Sequence, residues 1–366
     1  MVHLVLHLGM PKAGSTELQR VFAQNTAAFQ EHAYLYPMSG SDGVSHRPLF
    51  ESLLNKDFDA LKSCSHAIKR EIHQANSKSV IISCEDFFFL DLHQIHLFSS
   101  FFQSMRCISS ISIAFIFRRQ DSWFDSWYNQ WVKAKSIKYA HGILDLLENW
   151  DQLPRVFRYY DRIQDWETGF PSARILALSH SRNPGMLHLA EQFLSAVGLN
   201  ELELSFQSKH PANISLSLES LAILRRLNRE DINAETRRRL LSALTKCDRI
   251  RRDRGENFKQ QLLPDYNRSR ILRDARPQNE SLAKKYRNGL DLFPNPVVFT
   301  GSANHIKSLE LDADQLDNAC GILDAKHPRA RQVDFQHNID AIEILRTIGY
   351  SAIQGGCGPL LRSGVS

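Results

Sequence analysis

Val2-His3-Leu4-Val5-Leu6-His7-Leu8-Gly9-Met10-Pro11-Lys12-Ala13-Gly14-Ser15-Thr16 is the stretch on which the fold turns. Val2 to Leu8 is a short apolar run that ends at a glycine and a proline, which suits a buried parallel strand better than a helix. Beyond the turn, Leu18, Val21, Phe22 and Phe29 recur at helical spacing, so Ser15 or Thr16 opens a helix. Strand, glycine turn and helix in that order make a cradle for an anion. Glycines let backbone N–H groups point at it, and the helix N-terminus adds unsatisfied donors and a favourable dipole.

Three further apolar runs read as interior strands: Ser79 to Ser83, Ile111 to Phe117 and Ala173 to Leu178. Each precedes a helical pattern, at Leu92 to Met105, Trp123 to Lys133 and Met186 to Val197. The alternation predicts an α/β fold, a three-layer domain of the P-loop type with a central parallel sheet flanked by helices. It does not give the strand order. From Ser215 to Phe258 the chain turns helical and basic, with acidic residues interspersed, which reads as a solvated helical face rather than a nucleic-acid surface. The expected organisation is one domain over 1–288, including a helical segment 215–288, and a C-terminal extension over 289–366 that carries no motif.

With 366 residues and 43% hydrophobic content, the chain is long enough and apolar enough for a large packed domain. A net charge of +5 suits an anionic partner but does not by itself point to nucleic acid. The six cysteines form no C-x-x-C pair and are expected to be reduced thiols, with no metal site among them. The apolar N-terminus lacks the length and charge of a signal peptide, and no run reaches membrane-span length. The expectation is a soluble, cytoplasmic protein.

Gly9 and Gly14 stand at the separation of the two glycines in G-x-x-x-x-G-K-[ST], but Ser15 occupies the lysine position and the lysine lies inside the loop as Lys12. Thr16 keeps the hydroxyl position. This pattern, P-K-x-G-[ST]-[ST], resembles the 5′-phosphosulfate loop of sulfotransferases that use 3′-phosphoadenosine 5′-phosphosulfate. The resemblance makes Lys12, Ala13, Gly14, Ser15 and Thr16 cofactor-binding residues. It also implies a second anion site for the 3′-phosphate. Phe117-Arg118-Arg119-Gln120-Asp121-Ser122-Trp123-Phe124-Asp125-Ser126 supplies an arginine at a strand end and a serine on the following helix. Arg118 and Ser126 match the spacing the family uses for that task. Arg118 to Trp131, Asn213 to Ser217 and Asn279 to Tyr286 look especially like bacterial sulfotransferase-like proteins, so the resemblance runs from about Val2 to Tyr286.

The implied activity is transfer of a sulfuryl group to a hydroxyl or amine of a small molecule, with carbohydrate as the first expectation. Lys12 is the candidate cation at the bridging oxygen. No metal is chemically required. The acceptor must lose a proton, so a base is needed. Glu85, after the second interior strand, is the first candidate and His46, in a loop expected to face substrate, is the second. Asp86 is a candidate helix cap. Trp123, Trp127, Tyr128 and Trp131 form an aromatic stripe at helical spacing, and Arg119 is a candidate surface ion-pair partner. Two rival functions remain open at the level of sequence. One is a small-molecule kinase in which Glu85 and Asp86 hold magnesium; the other is a nucleotide-binding module without catalysis.

Overall fold

In the computed structural model the described residues are 1–148, 157–180, 186–199, 202–205, 215–229, 233–253, 255 and 262–294. The elements run β1 (Val2–Gly9), α1 (Ser15–Gln24), α2 (Thr26–Glu31), β2 (Tyr34–Leu35), α3 (Arg47–Leu54), α4 (Phe58–Gln74), β3 (Ser79–Ser83), α5 (Leu92–Gln103), β4 (Ile108–Phe117), α6 (Gln120–Lys133), α7 (Ile143–Glu148), α8 (Tyr159–Gly169), β5 (Arg174–Ser179), α9 (Met186–Ala196), α10 (Leu218–Asn228), α11 (Ala234–Asp253) and α12 (Asp265–Tyr286). A 3-10 turn spans Glu85–Phe89.

The five strands form one parallel sheet in the order β2-β3-β1-β4-β5, flanked by helices, so the protein has the expected α/β fold. The central position of β1 explains its composition. All of its residues but His3 are buried, and a strand covered on both faces reads as a continuous apolar run rather than an alternating one. His7 of β1 lies opposite Ser83 of β3 on one side and Ala114 of β4 on the other. The aromatic core includes Phe87, Phe88, Phe98, Phe115, Phe117 and Trp166, all fully buried.

The chain leaves β1 toward β2 and β3, then crosses to β4 on the other side of β1. The C-terminal ends of β1 and β4 therefore bound a topological switch point, where open α/β sheets form ligand crevices. The loop Met10 to Gly14 follows one of these ends, and Arg118 follows the other.

Several local readings change. The helical pattern from Leu18 to Phe29 is two helices, because Asn25 ends α1 with its side-chain amide donating to Val21 O at 2.7 Å. The edge strand β2 has two residues, too few for a periodicity to show. Asp86 caps no α-helix: Asp91 caps α5, in a reciprocal capping box with Gln94.

The chain divides into two compact units. One holds the sheet, from the described parts of Met1–Trp123, Gln152–Ala212 and Ile271–Val297. The other takes in the described parts of Phe124–Asp151 and Asn213–Arg270. Within this second unit the basic stretch is not simply a solvated face. Arg237 is buried and donates to the carbonyls of Val132, Lys133 and Ala134 at 3.0, 3.1 and 3.4 Å, closing the C-terminus of α6. Arg225 is also buried, whereas Arg238 and Arg239 pair with Glu235 at the surface. Of the expected extension 289–366, residues 295–366 lie outside the described residues, as do Asn213 and Ile214.

Candidate functional site

The loop after β1 carries two residues in the left-handed region, Lys12 at φ 67° and Gly14 at φ 86°. Gly14 needs this freedom as the N-cap of α1, and it also needs the absence of a side chain. A Cβ there would meet the side chains of His180 and Leu189 at 3.0 Å. Lys12 holds a conformation unfavourable for a residue with a Cβ, which its surroundings must enforce. Those surroundings are visible. Met10 N–H donates to Ile116 O at 3.0 Å and Ala13 N–H to Met10 O at 3.0 Å.

Three side chains brace the loop from outside. Trp123 Nε1 donates to Pro11 O at 2.7 Å, and Arg118 Nη1 donates to Lys12 O at 2.8 Å. The Tyr159 hydroxyl lies 2.7 Å from Arg118 O and 3.2 Å from Met10 Sδ, so it ties the end of β4 to the loop. The carbonyls of Met10, Pro11 and Lys12 are thus occupied by donors. No side chain caps α1. The N–H groups of Ser15 and Thr16, in its first turn, have no intrahelical acceptor and are placed to hold an anion.

Three charged groups gather here. Burial lowers the Lys12 pKa, with Arg118 adding to the effect and Glu85 opposing it. Burial raises the Glu85 pKa, reinforced by the neighbouring Asp86 and opposed by Lys12 and Arg47. Lys12 therefore lies in the fields of both Glu85 and Arg118, which act on it in opposite directions. Asp86 faces Arg47 at 3.6 Å. Arg119, just before α6, pairs with the fully buried Asp121 at 2.8 Å.

The expected site residues separate accordingly. Lys12, Ala13, Gly14, Ser15 and Thr16 form the loop and the start of α1, and Glu85 and Arg118 stand beside it. His46 does not belong with them. It is fully buried, its Nδ1 accepts from Ser83 N–H at 3.1 Å, and its Nε2 donates to Pro37 O at 3.1 Å. Burial pushes its pKa down to about 4. With both nitrogens committed to backbone, His46 has no lone pair for a substrate proton, and its role as a base is withdrawn. Ser126 lies on α6, half-buried, in the second compact unit.

Sequence reading missed His180, Tyr159 and the bracing role of Trp123. No local pattern marks them, because Trp123 meets Pro11 across 112 positions and Tyr159 meets Arg118 across 41. Cys64, Cys84 and Cys107 are free thiols. Among the described residues no cluster of three or more metal-ligating side chains is found, and no helix is long and apolar enough to cross a membrane.

No protein-family model matches the chain, and no solved structure matches it. The chain is similar to an uncharacterized protein of Archaeoglobus fulgidus, at 28% identity over 211 residues, which is 57% of this chain. It spans about half of that relative's length, 53%.

Proposed function

We propose that the protein is a sulfotransferase that uses 3′-phosphoadenosine 5′-phosphosulfate and passes its sulfuryl group to a hydroxyl or amine, with a carbohydrate hydroxyl as first choice. The observation that carries the reading is the position of Lys12. Its left-handed backbone holds the cation within the loop, ahead of an uncapped helix N-terminus, at the switch point of a parallel sheet.

The residues of the loop fit such a donor. The first-turn N–H groups of α1 and the buried, unpartnered Ser15 hydroxyl are donors suited to a 5′-phosphosulfate. When bound, the donor supplies the sulfuryl group and a phosphate leaving group. Lys12 stabilises the negative charge that grows on the bridging oxygen as the S–O bond to phosphate breaks. Glu85 takes the acceptor's proton as the new S–O bond forms, and its raised pKa makes it a better base than an ordinary surface carboxylate. Gly14 and Arg118 fix the loop, so the cation and the amides need not reorganise during the reaction. The assignment of the 3′-phosphate to Arg118 and Ser126 is what the resemblance of this stretch to the sulfotransferase family implies.

Isothermal calorimetry with adenosine 3′,5′-bisphosphate tests the reading, with and without magnesium and against ATP. Binding of the bisphosphate without metal, and more tightly than ATP, is expected. Magnesium-dependent ATP binding with no affinity for the bisphosphate would replace it with the kinase reading.

A further inference from the structure

Beneath the loop, two buried side-chain atoms, Ser15 Oγ and His7 Nε2, have no hydrogen-bond partner among the described residues. They converge on one spot. A Cβ built on Gly9 would lie 1.6 Å from Ser15 Oγ and 3.0 Å from His7 Nε2. The missing side chain of Gly9 is what leaves room for both the hydroxyl and the imidazole beside it. Unpaired buried polar atoms are costly, so two of them beside the same glycine, at an uncapped helix terminus, call for an explanation.

The far side of His7 is held in place. Nδ1 lies 2.7 Å from Ser83 Oγ. Ser83 is fixed in turn by His46, which accepts from Ser83 N–H at 3.1 Å and returns its own backbone N–H to Ser83 O at 2.8 Å. Complete burial keeps His7 neutral, so its ring carries one N–H and one lone pair. Which nitrogen holds the proton decides what Ser15 can do. If Nε2 is bare, it attracts the Ser15 proton and leaves lone pairs toward an anion. If Nε2 carries the proton, the Ser15 oxygen accepts from it and its own O–H points onward.

We propose that His7 is a positioning residue for the Ser15 hydroxyl: Ser83 O–H donates to Nδ1, His7 Nε2–H donates to Ser15 Oγ, and the Ser15 O–H is directed to an anionic oxygen seated at the N-terminus of α1. The proposal rests on the reading of that terminus as the phosphosulfate site and adds a hydrogen-bonded support one layer below it. An anion selects the tautomer protonated at Nε2, because only that form lets Ser15 donate. The shift of tautomer moves a proton: the N–H bond at Nδ1 is given up, one at Nε2 is formed, and the Ser83 hydroxyl turns from acceptor to donor; no other covalent bond changes.

The test uses the full chain with 15N-labelled histidine, titrated separately with inorganic phosphate, adenosine 3′,5′-bisphosphate and ATP. The His7 ring shifts of the bound protein should report Nε2 protonated and Nδ1 bare. An unprotonated Nε2 in the bound wild-type protein overturns the proposal, whether or not any variant folds. Two variants separate positioning from packing. The His7→Gln amide nitrogen can stand in for Nε2, and the His7→Asn amide for Nδ1. His7→Asn and Ser15→Ala should each weaken binding about tenfold, the scale of one hydrogen bond to a charged group. The double variant should bind no more weakly than Ser15→Ala alone, and His7→Gln should recover most of the loss. Additive losses, or equal weakening in Asn and Gln that follows their melting temperatures, overturn it. Coupling seen with phosphate or ATP, without affinity for the bisphosphate, keeps His7 and removes the sulfotransferase reading. Bisphosphate binding with additive losses does the reverse. Binding of none of the three removes both.

Discussion

Arg118 donates from Nη1 to the carbonyl oxygen of Lys12 across 2.8 Å, which ties the end of β4 to the loop that follows β1. The residue singled out as a phosphate clamp thus also shapes the loop, by holding the carbonyl of a lysine in a left-handed conformation. A guanidinium has five N–H donors, so this bond and a phosphate contact are compatible.

Replacing Arg118 by Met should therefore damage two functions together. Bisphosphate affinity is expected to fall by about 1.5–3 kcal/mol, the scale of a lost hydrogen bond to a charged group. The loop should also loosen, seen as faster amide exchange at Ala13 and Gly14. Weakened binding with unchanged exchange would mean that the Lys12 carbonyl does not depend on Arg118.

Gly9 and Gly14 should fail differently when changed to alanine. At Gly14 the positive φ and the contacts with His180 and Leu189 are expected to cost about 1–2 kcal/mol of stability. At Gly9 a new methyl would overlap Ser15 Oγ at 1.6 Å and Ser15 Cβ at 2.6 Å. Turning the hydroxyl away cannot relieve the second contact, so the start of α1 must shift and anion binding should be lost. Denaturant melts and calorimetry on the two variants give both quantities.

Glu85→Gln should leave bisphosphate affinity close to wild type and lower turnover by about 10²- to 10⁴-fold, as for loss of a general base. Burial raises the Glu85 pKa and lowers that of Lys12. Turnover should therefore rise with pH through a midpoint above the ordinary glutamate value and fall through one below the ordinary lysine value. A Gln variant that keeps its rate would move the role of base elsewhere.

Folding stability should drop in mild acid. His7 and His46 titrate at about 3 and about 4 in the folded protein, against 6.5 in the unfolded chain. Their folded pKa values are depressed, so the unfolded state binds more protons below 6.5. The stability they confer is full above that value and is lost as pH falls toward 4 and then 3. Each contributes a slope of up to about 1.4 kcal/mol per pH unit in that window. Urea melts between pH 7 and 5 should show the loss, and His46→Gln should flatten it.

How much of this was legible in the sequence depended on range. β1, β3 and the second half of β4 were readable because buried parallel strands leave continuous apolar runs, β5 by its short apolar run although only Leu176 and Ala177 of it are buried, and α1 because Gly14 and Ser15 mark its start. β2 was hidden by its length. At the site, Lys12 and Arg118 announced themselves through neighbours a few positions away. His46 misled, because a polar residue among Gly, Ser and Pro looks like loop surface, and its burial comes from Ser83, 37 positions on. His180, Tyr159 and His7 were unreadable for the same reason, since each acquires its role from a strand or loop distant in the chain.

The most direct measurement is calorimetric titration of the intact protein with adenosine 3′,5′-bisphosphate in the absence of any divalent metal, repeated with Lys12→Ala. Metal-independent binding to the wild type, stronger than to ATP and sharply weakened in the variant, is the predicted result. No binding of the bisphosphate beside magnesium-dependent binding of ATP would contradict it.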